Sequence, residues 1–191
     1  MNLKILSLCF LICLLHPSQG YSKTKLSEIE IGTGFSWNHL DPSNGDNYKS
    51  TPFFLKLGFD MNEFLNLHDH KGIVQAAIEP FLGATYEPNM GAEAGIGLFL
   101  NYRYSLTRKI TPFLEIGSGP IYFGVNTIEQ DKSGFNFLSQ GGFGLQYEIS
   151  KNKTFNIHYR YRHLSHAELR DTSNKGIDSH ALLFGISYHF N

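Results

Sequence analysis

Beyond its first twenty residues this chain has no cysteine. Both of its 2 cysteines, Cys9 and Cys13, lie in the opening stretch "MNLKILSLCFLICLLHPSQG". Lys4 gives that stretch a short positive region, Ile5 to Leu15 is apolar apart from Ser7, and Ser18-Gln19-Gly20 supplies a small-x-small cleavage site. The pattern reads as a secretory signal peptide over 1–20, cut before Tyr21. The residues before each cysteine are bulky, so neither suits lipid attachment. The mature chain is therefore expected to have no disulfide and no cysteine-ligated metal. A long apolar run is also missing: the leader is too short for a transmembrane helix, and no later stretch approaches the roughly 20 apolar residues one needs. Neither charge dominates, with 16 basic and 17 acidic residues, so there is no basic footprint for nucleic acid. Helical periodicity is nearly absent, with only Glu63 to Leu67 suggesting a turn. No repeat, linker or low-complexity segment divides 21–191, which reads as one domain.

What the chain does have is aromatics and glycine: 16 Phe, 10 Tyr and 19 Gly. Strand-like runs are expected at 27–38, 52–60, 73–86, 92–104, 111–124, 135–149, 153–165 and 178–190. Most exceed the usual strand of about 5–6 residues. Many reach the roughly 9–11 residues with which a tilted strand crosses a bilayer. In "SEIEIGTGFSWN", Ile29, Ile31, Thr33, Phe35 and Trp37 share one face, while Glu28, Glu30, Gly32, Gly34 and Ser36 share the other. "AGIGLFLNYRY" and "ALLFGISYHF" repeat the alternation.

A soluble sandwich would turn the apolar face inward and a membrane barrel would turn it outward. Glycines and charges such as Glu30 and Arg103 occupy the opposite face, and a dry core would carry a heavy cost for unpaired charge. The last strand ends in alternating apolar residues with Phe190 next to the terminus. The expected fold is therefore all-β: an eight-stranded antiparallel transmembrane β-barrel in the bacterial outer membrane. With both ends in the periplasm, loops near 39–50, 87–91, 125–134 and 166–177 face outside. The segment near 61–72 is long for a periplasmic turn.

The stretch "YRYRHLSHA", 159–167, carries a candidate chemistry. His163 and Ser165 share a face with Phe155, Ile157, Tyr159 and Tyr161. Counting back from Phe190 by twos puts Asp178 and His180 on the lipid-facing side of the eighth strand, and a hairpin would bring 163 and 178 together. A neighbouring imidazole can take the serine proton and a carboxylate can orient the imidazole. His163 is then the candidate base, Ser165 the nucleophile and Asp178 the acid. A site on the outer wall meets membrane lipid, and an acyl ester is the natural target there. By spacing alone, an interfacial belt of polar aromatics with polar loop residues explains His-x-Ser better than catalysis does.

The segment 159–190, "YRYRHLSHAELRDTSNKGIDSHALLFGISYHF", resembles the lipid A 3-O-deacylase (PagL) family. That family's pattern has a Tyr-Arg-His-x-Ser-Asn-Ala core, then Asn-x-Gly, then a closing Gly-x-x-Tyr-x-Phe-type strand. "FLSQGGFGLQYEI", 137–149, looks like its preceding strand. The resemblance implies hydrolysis of the ester-linked acyl chain at the 3 position of lipid A by a Ser-His-acid triad, with no cofactor and no metal in the chemistry. It implies lipopolysaccharide as substrate, and a homodimer covering the lipid-facing site is compatible with it. His163 and Ser165 match the family's base and nucleophile. Asp178 stands four residues after Asn174, where the family's acid, a glutamate in the best-known members, is placed. The chain departs from the family at His166, Ala167 and Glu168, which replace the Asn-Ala-Gly associated with the oxyanion hole. His166, Ala167 and Asn174 are accordingly the oxyanion or substrate candidates.

Other constellations point to blander roles. His68-Asp69-His70 contains zinc-ligand types without a third strong partner nearby, and a polar turn explains it better. The glycine pairs 32/34, 95/97 and 117/119 open no helix after a strand, as phosphate cradling requires, and suit a narrow lumen. Glu79, Arg103, Glu115, Arg160 and Arg162 are expected as lumen ion pairs. The outer-loop cations Lys49, Lys132 and Lys175 are better placed for a lipid headgroup. Two rival functions remain: a non-catalytic structural or adhesin-type barrel, including an inactive deacylase relative, and a soluble secreted lipid-binding barrel.

Overall fold

The alternating segments form eight antiparallel strands in the computed structural model, which describes residues 24–38, 47–67, 71–127, 132–167 and 176–190. They are β1 (Leu26–Trp37), β2 (Lys49–Asp60), β3 (Gly72–Glu87), β4 (Gly91–Tyr104), β5 (Ile110–Phe123), β6 (Gly134–Ser150), β7 (Lys153–Ser165) and β8 (Ile177–His189). Each strand pairs with the next, and β8 pairs back onto β1 from Glu28↔His189 to Trp37↔His180, closing the barrel. Closure is what lipid requires, because a spanning sheet with open edges would leave backbone N–H and C=O groups with no partner. All eight expected strands form, and their ends differ from the sequence reading by a few residues at most.

The faces also fall as the alternation predicts. Ile31, Phe35, Leu82, Leu114, Ile116 and Phe143 are exposed on the outer wall. Inside, Glu30, Lys56, Glu79, Glu115, His158 and Arg160 are almost wholly buried. Buried charges need partners, and here they have them. Arg160 donates through Nη1 to Glu79 Oε1 at 2.5 Å and through Nε to Glu115 Oε1 at 2.8 Å. Lys56 Nζ lies 3.1 Å from Glu115 Oε2. The guanidinium of Arg160 also stacks 4.4 Å from the centre of the Phe99 ring. Arg103 pairs with Glu28 nearer the periplasmic end, and Arg162 Nη2 reaches Glu93 Oε1 at 3.3 Å nearer the outer end.

Above Arg162 the lumen turns apolar. Tyr48, Ile121, Phe123, Val125, Leu138, Leu164 and Ile177 form one buried cluster. This plug fills the outer end of the barrel among the described residues, directly behind the outer wall of β7 and β8.

The long segment between β2 and β3 also has a physical account. Residues 61–67 make a hydrogen-bonded turn in which Leu65 N donates to Met61 O and Leu67 N donates to Asn62 O. Asn62 ties that turn to the base of β3: its Nδ2 donates to Gly72 O at 2.9 Å, and its Oδ1 accepts from Val74 N at 2.8 Å. The length is thus used for a folded cap between the strands. His68-Asp69-His70 lies outside the described residues.

Candidate active site

The site begins with register. β6 pairs with β7 so that Ser139 faces His163 and Phe137 faces Ser165. β7 pairs with β8 so that His163 lies directly opposite Asp178 and Leu164 opposite Ile177. Odd positions on this part of β7 point to the outer wall, while the inward neighbours Leu164 and Ile177 are buried in the plug. The candidate residues are therefore mounted on strands whose inward neighbours, Leu164 and Ile177, are buried in the apolar cluster.

His163 Nδ1 and Asp178 Oδ1 are 2.7 Å apart. Their side chains are 44% and 52% exposed, so the pair opens onto the membrane side of the wall and not into the lumen. The pairing also answers the question of reach that a shorter acid raises. Residues directly opposite in an antiparallel pair hold their Cβ atoms about 4.5–5.5 Å apart, a span a short aspartate can bridge.

Ser165 lies half-buried at the last position of β7, on the face of His163. Among the described residues no hydrogen bond joins it to the imidazole. Such contacts often tighten only when substrate is bound. The second nitrogen of the ring, Nε2, has no hydrogen-bond partner there either, so it remains available to take a proton.

The oxyanion candidates separate. His166 is wholly buried, with the inward parity of Leu164. Its side chain is thus turned away from the outer wall where His163 and Asp178 stand. Ala167 is exposed and has a φ of 50°, in the left-handed region that non-glycine residues seldom enter. Asn174 and Glu168 lie outside the described residues.

His180 continues the outer face one step below the acid. Tyr159 Oη and His180 Nδ1 are 2.8 Å apart, Tyr161 packs edge-on against the ring at 5.7 Å, and Trp37 sits at 6.1 Å. This is the polar-aromatic belt expected at a membrane interface. Lys49, considered as a headgroup contact, is exposed and salt-bridged to Glu87 at 2.9 Å. Among the described residues no group of three or more His, Cys, Asp or Glu side chains is arranged to hold a metal ion.

One neighbour of the imidazole had no assigned role in the sequence reading. Gly176, the residue before β8, has a φ of 77°, and a Cβ there would lie 2.7 Å from His163 Cε1 and 3.3 Å from Nε2. The only sequence signal was its place in the Asn-x-Gly pattern.

Comparison with known proteins agrees with the fold. The sequence profile of the family described as lipid A 3-O-deacylase (PagL) matches residues 57–187. Among solved structures, Neisserial surface protein A is similar at a TM-score of 0.65 and 12% identity, covering 88% of this chain and 100% of that one. The outer-membrane enzyme PagL is similar at 0.55 and 19% identity, covering 83% and 98%. At these identities the structural likeness speaks to the fold, an outer-membrane barrel, and the family assignment rests on the sequence profile. No match was found among curated protein sequences.

Proposed function

The chain belongs to the lipid A 3-O-deacylase family and is a bacterial outer-membrane β-barrel; from that premise we propose that it hydrolyses the ester-linked acyl chain at the 3 position of lipid A. The observation that carries this reading is the 2.7 Å contact between His163 Nδ1 and Asp178 Oδ1 on the exposed wall, with Ser165 on the same face. A soluble ester would have no reason to seek a site on the flank of a barrel. A lipid in the outer leaflet lies against it.

In the proposed reaction Ser165 Oγ attacks the ester carbonyl while His163 Nε2 takes the hydroxyl proton. Asp178 holds the ring by Nδ1 and stabilises the imidazolium as it forms. The tetrahedral intermediate collapses, the C–O bond to the sugar breaks, and His163 returns the proton to the departing 3-hydroxyl. Water, deprotonated by the same imidazole, then attacks the acyl-serine; the bond to Ser165 Oγ breaks, the imidazolium returns the proton to that oxygen, and the fatty acid is released. The developing oxyanion needs a donor on the outer side of the wall. The backbone N–H of Ala167 suits that role better than the buried ring of His166. Loss of one such donor typically lowers kcat by about a hundred- to a thousandfold, so the His166-Ala167-Glu168 departure bears on rate more than on the kind of reaction.

The test is mass spectrometry of purified lipid A incubated with the detergent-refolded protein and with its Ser165→Ala variant. The expected result is loss of one 3-linked hydroxyacyl chain with the parent and intact lipid with the variant. Intact lipid from a well-folded parent, across several lipid A types, would overturn the reading in favour of a non-catalytic barrel.

A further inference from the structure

We infer that Gly176 is a positioning residue for the base, its missing side chain leaving the space into which the edge of the His163 imidazole fits. The inference rests on the deacylase reading of this site and adds a residue to it. Two independent features require glycine here. Its φ of 77° lies in the left-handed region, and the place a Cβ would occupy is 2.7 Å from His163 Cε1 and 3.3 Å from Nε2. The next residue, Ile177, is buried in the apolar plug and paired with Leu164, so the backbone of Gly176 cannot easily retreat.

The imidazole is consequently set by two features. Asp178 draws Nδ1 from the β8 side at 2.7 Å, and the absent side chain of Gly176 leaves the space that the Cε1 edge occupies. Together they favour one setting of the ring about the bond that carries it. A side chain at 176 would force the ring outward and move Nε2 away from its working position. Misplacement of a reacting group by about 1 Å can cost on the order of a hundredfold in rate.

Asparagine separates the two requirements, because it tolerates positive φ better than other side chains yet still carries a Cβ. We would compare wild type, Gly176→Asn and Gly176→Ala in detergent micelles, following lipid A deacylation and the imidazole resonances of His163. In the wild type, a nuclear Overhauser contact between Gly176 Hα and His163 Hε1 is expected. In both variants the His163 resonances should shift, kcat should fall about ten- to a hundredfold, and KM should change little. Absence of the contact in the wild type overturns the inference without reference to any variant. So does a Gly176→Asn protein with unchanged His163 resonances, or with shifted resonances and unchanged kcat. If the wild type proves inactive on lipid A, the deacylase reading falls, and the resonances still decide whether Gly176 sets the ring.

Discussion

Two histidines on β7, His158 and His163, stand five residues apart and therefore on opposite faces of one strand. Both meet carboxylates, and the difference between them separates structure from chemistry. His158 is enclosed: Nδ1 lies 3.0 Å from Glu115 Oε1 and Nε2 lies 2.8 Å from Glu30 Oε1. Glu115 also accepts from Arg160 and Lys56, and Glu30 forms an ion pair with Lys56 Nζ at 3.8 Å, so both carboxylates are ionised. Ionised carboxylate oxygens only accept, so both ring nitrogens must donate and the ring carries a positive charge. That charge has a place in the lumen, where the carboxylates of Glu28, Glu30, Glu79, Glu93 and Glu115 face the cations Lys56, Arg103, Arg160 and Arg162. His158 has no nitrogen left for catalysis. His163 has one carboxylate, an exposed ring and, among the described residues, no hydrogen-bond partner for Nε2. A histidine with both nitrogens bound acts as a staple, while one held by a single nitrogen can move a proton.

The largest effect that would break this comparison is at the nucleophile. Ser165→Ala should abolish lipid A deacylation, by a factor that in serine hydrolases reaches about a millionfold, while the barrel keeps its heat-shifted mobility in gel electrophoresis. A variant retaining more than a small fraction of the parent's rate would show that the exposed histidine serves some other group. Asp178→Asn should come next, lowering kcat by about ten-thousandfold, because an amide no longer fixes the tautomer that presents Nε2 as an acceptor. Parent-like kcat for this variant would reduce the 2.7 Å contact to a surface ion pair.

The lumen histidine should respond in the opposite way. His158→Gln removes one of the cations between two buried carboxylates, and stripping one partner from a buried pair costs about 3–5 kcal/mol. Urea unfolding in lipid vesicles should show that loss, and deacylation under conditions where both proteins are folded should be unchanged. A stable but inactive His158→Gln would mean the two faces of β7 are coupled, and the division drawn here would fail.

Much of this was legible before any coordinates. Alternation over long runs gave eight strands and their faces, because a barrel wall leaves each residue only two directions. Counting by twos also put Asp178 on the face of His163, and a hairpin was expected to bring them close; alternation fixes the face, while the direct pairing is a matter of strand register. The partners of His158 were not legible in that way. Glu30 and Glu115 come from β1 and β5, and only closure of the barrel gathers them around one ring. The burial of His166 was hidden for a related reason: the parity of β7 continues past its last hydrogen-bonded residue into the plug. The Gly176 contact depends on backbone φ at the strand's entry, which residue type suggests but does not locate.

A one-methylene exchange at each acid sharpens the comparison with the smallest expected changes. Glu115 is fully enclosed, and its two oxygens serve His158, Arg160 and Lys56 together. Glu115→Asp pulls the carboxylate back from all three at once. The carboxylate is wholly buried, so the variant should lose about 1–3 kcal/mol of stability, the range for leaving buried polar groups unsatisfied. Asp178 is 52% exposed among the described residues, which leaves room for a longer side chain. Asp178→Glu can therefore bow outward and still reach Nδ1, at the expense of some ordering of the extra bond. The rate should stay within about tenfold of the parent, or about 1.4 kcal/mol in the barrier, with stability unaltered. A fall as deep as that of Asp178→Asn would show that direct cross-strand register admits only the short acid. The aspartate would then be an adaptation of this chain's own strand pairing rather than a tolerated substitute for glutamate.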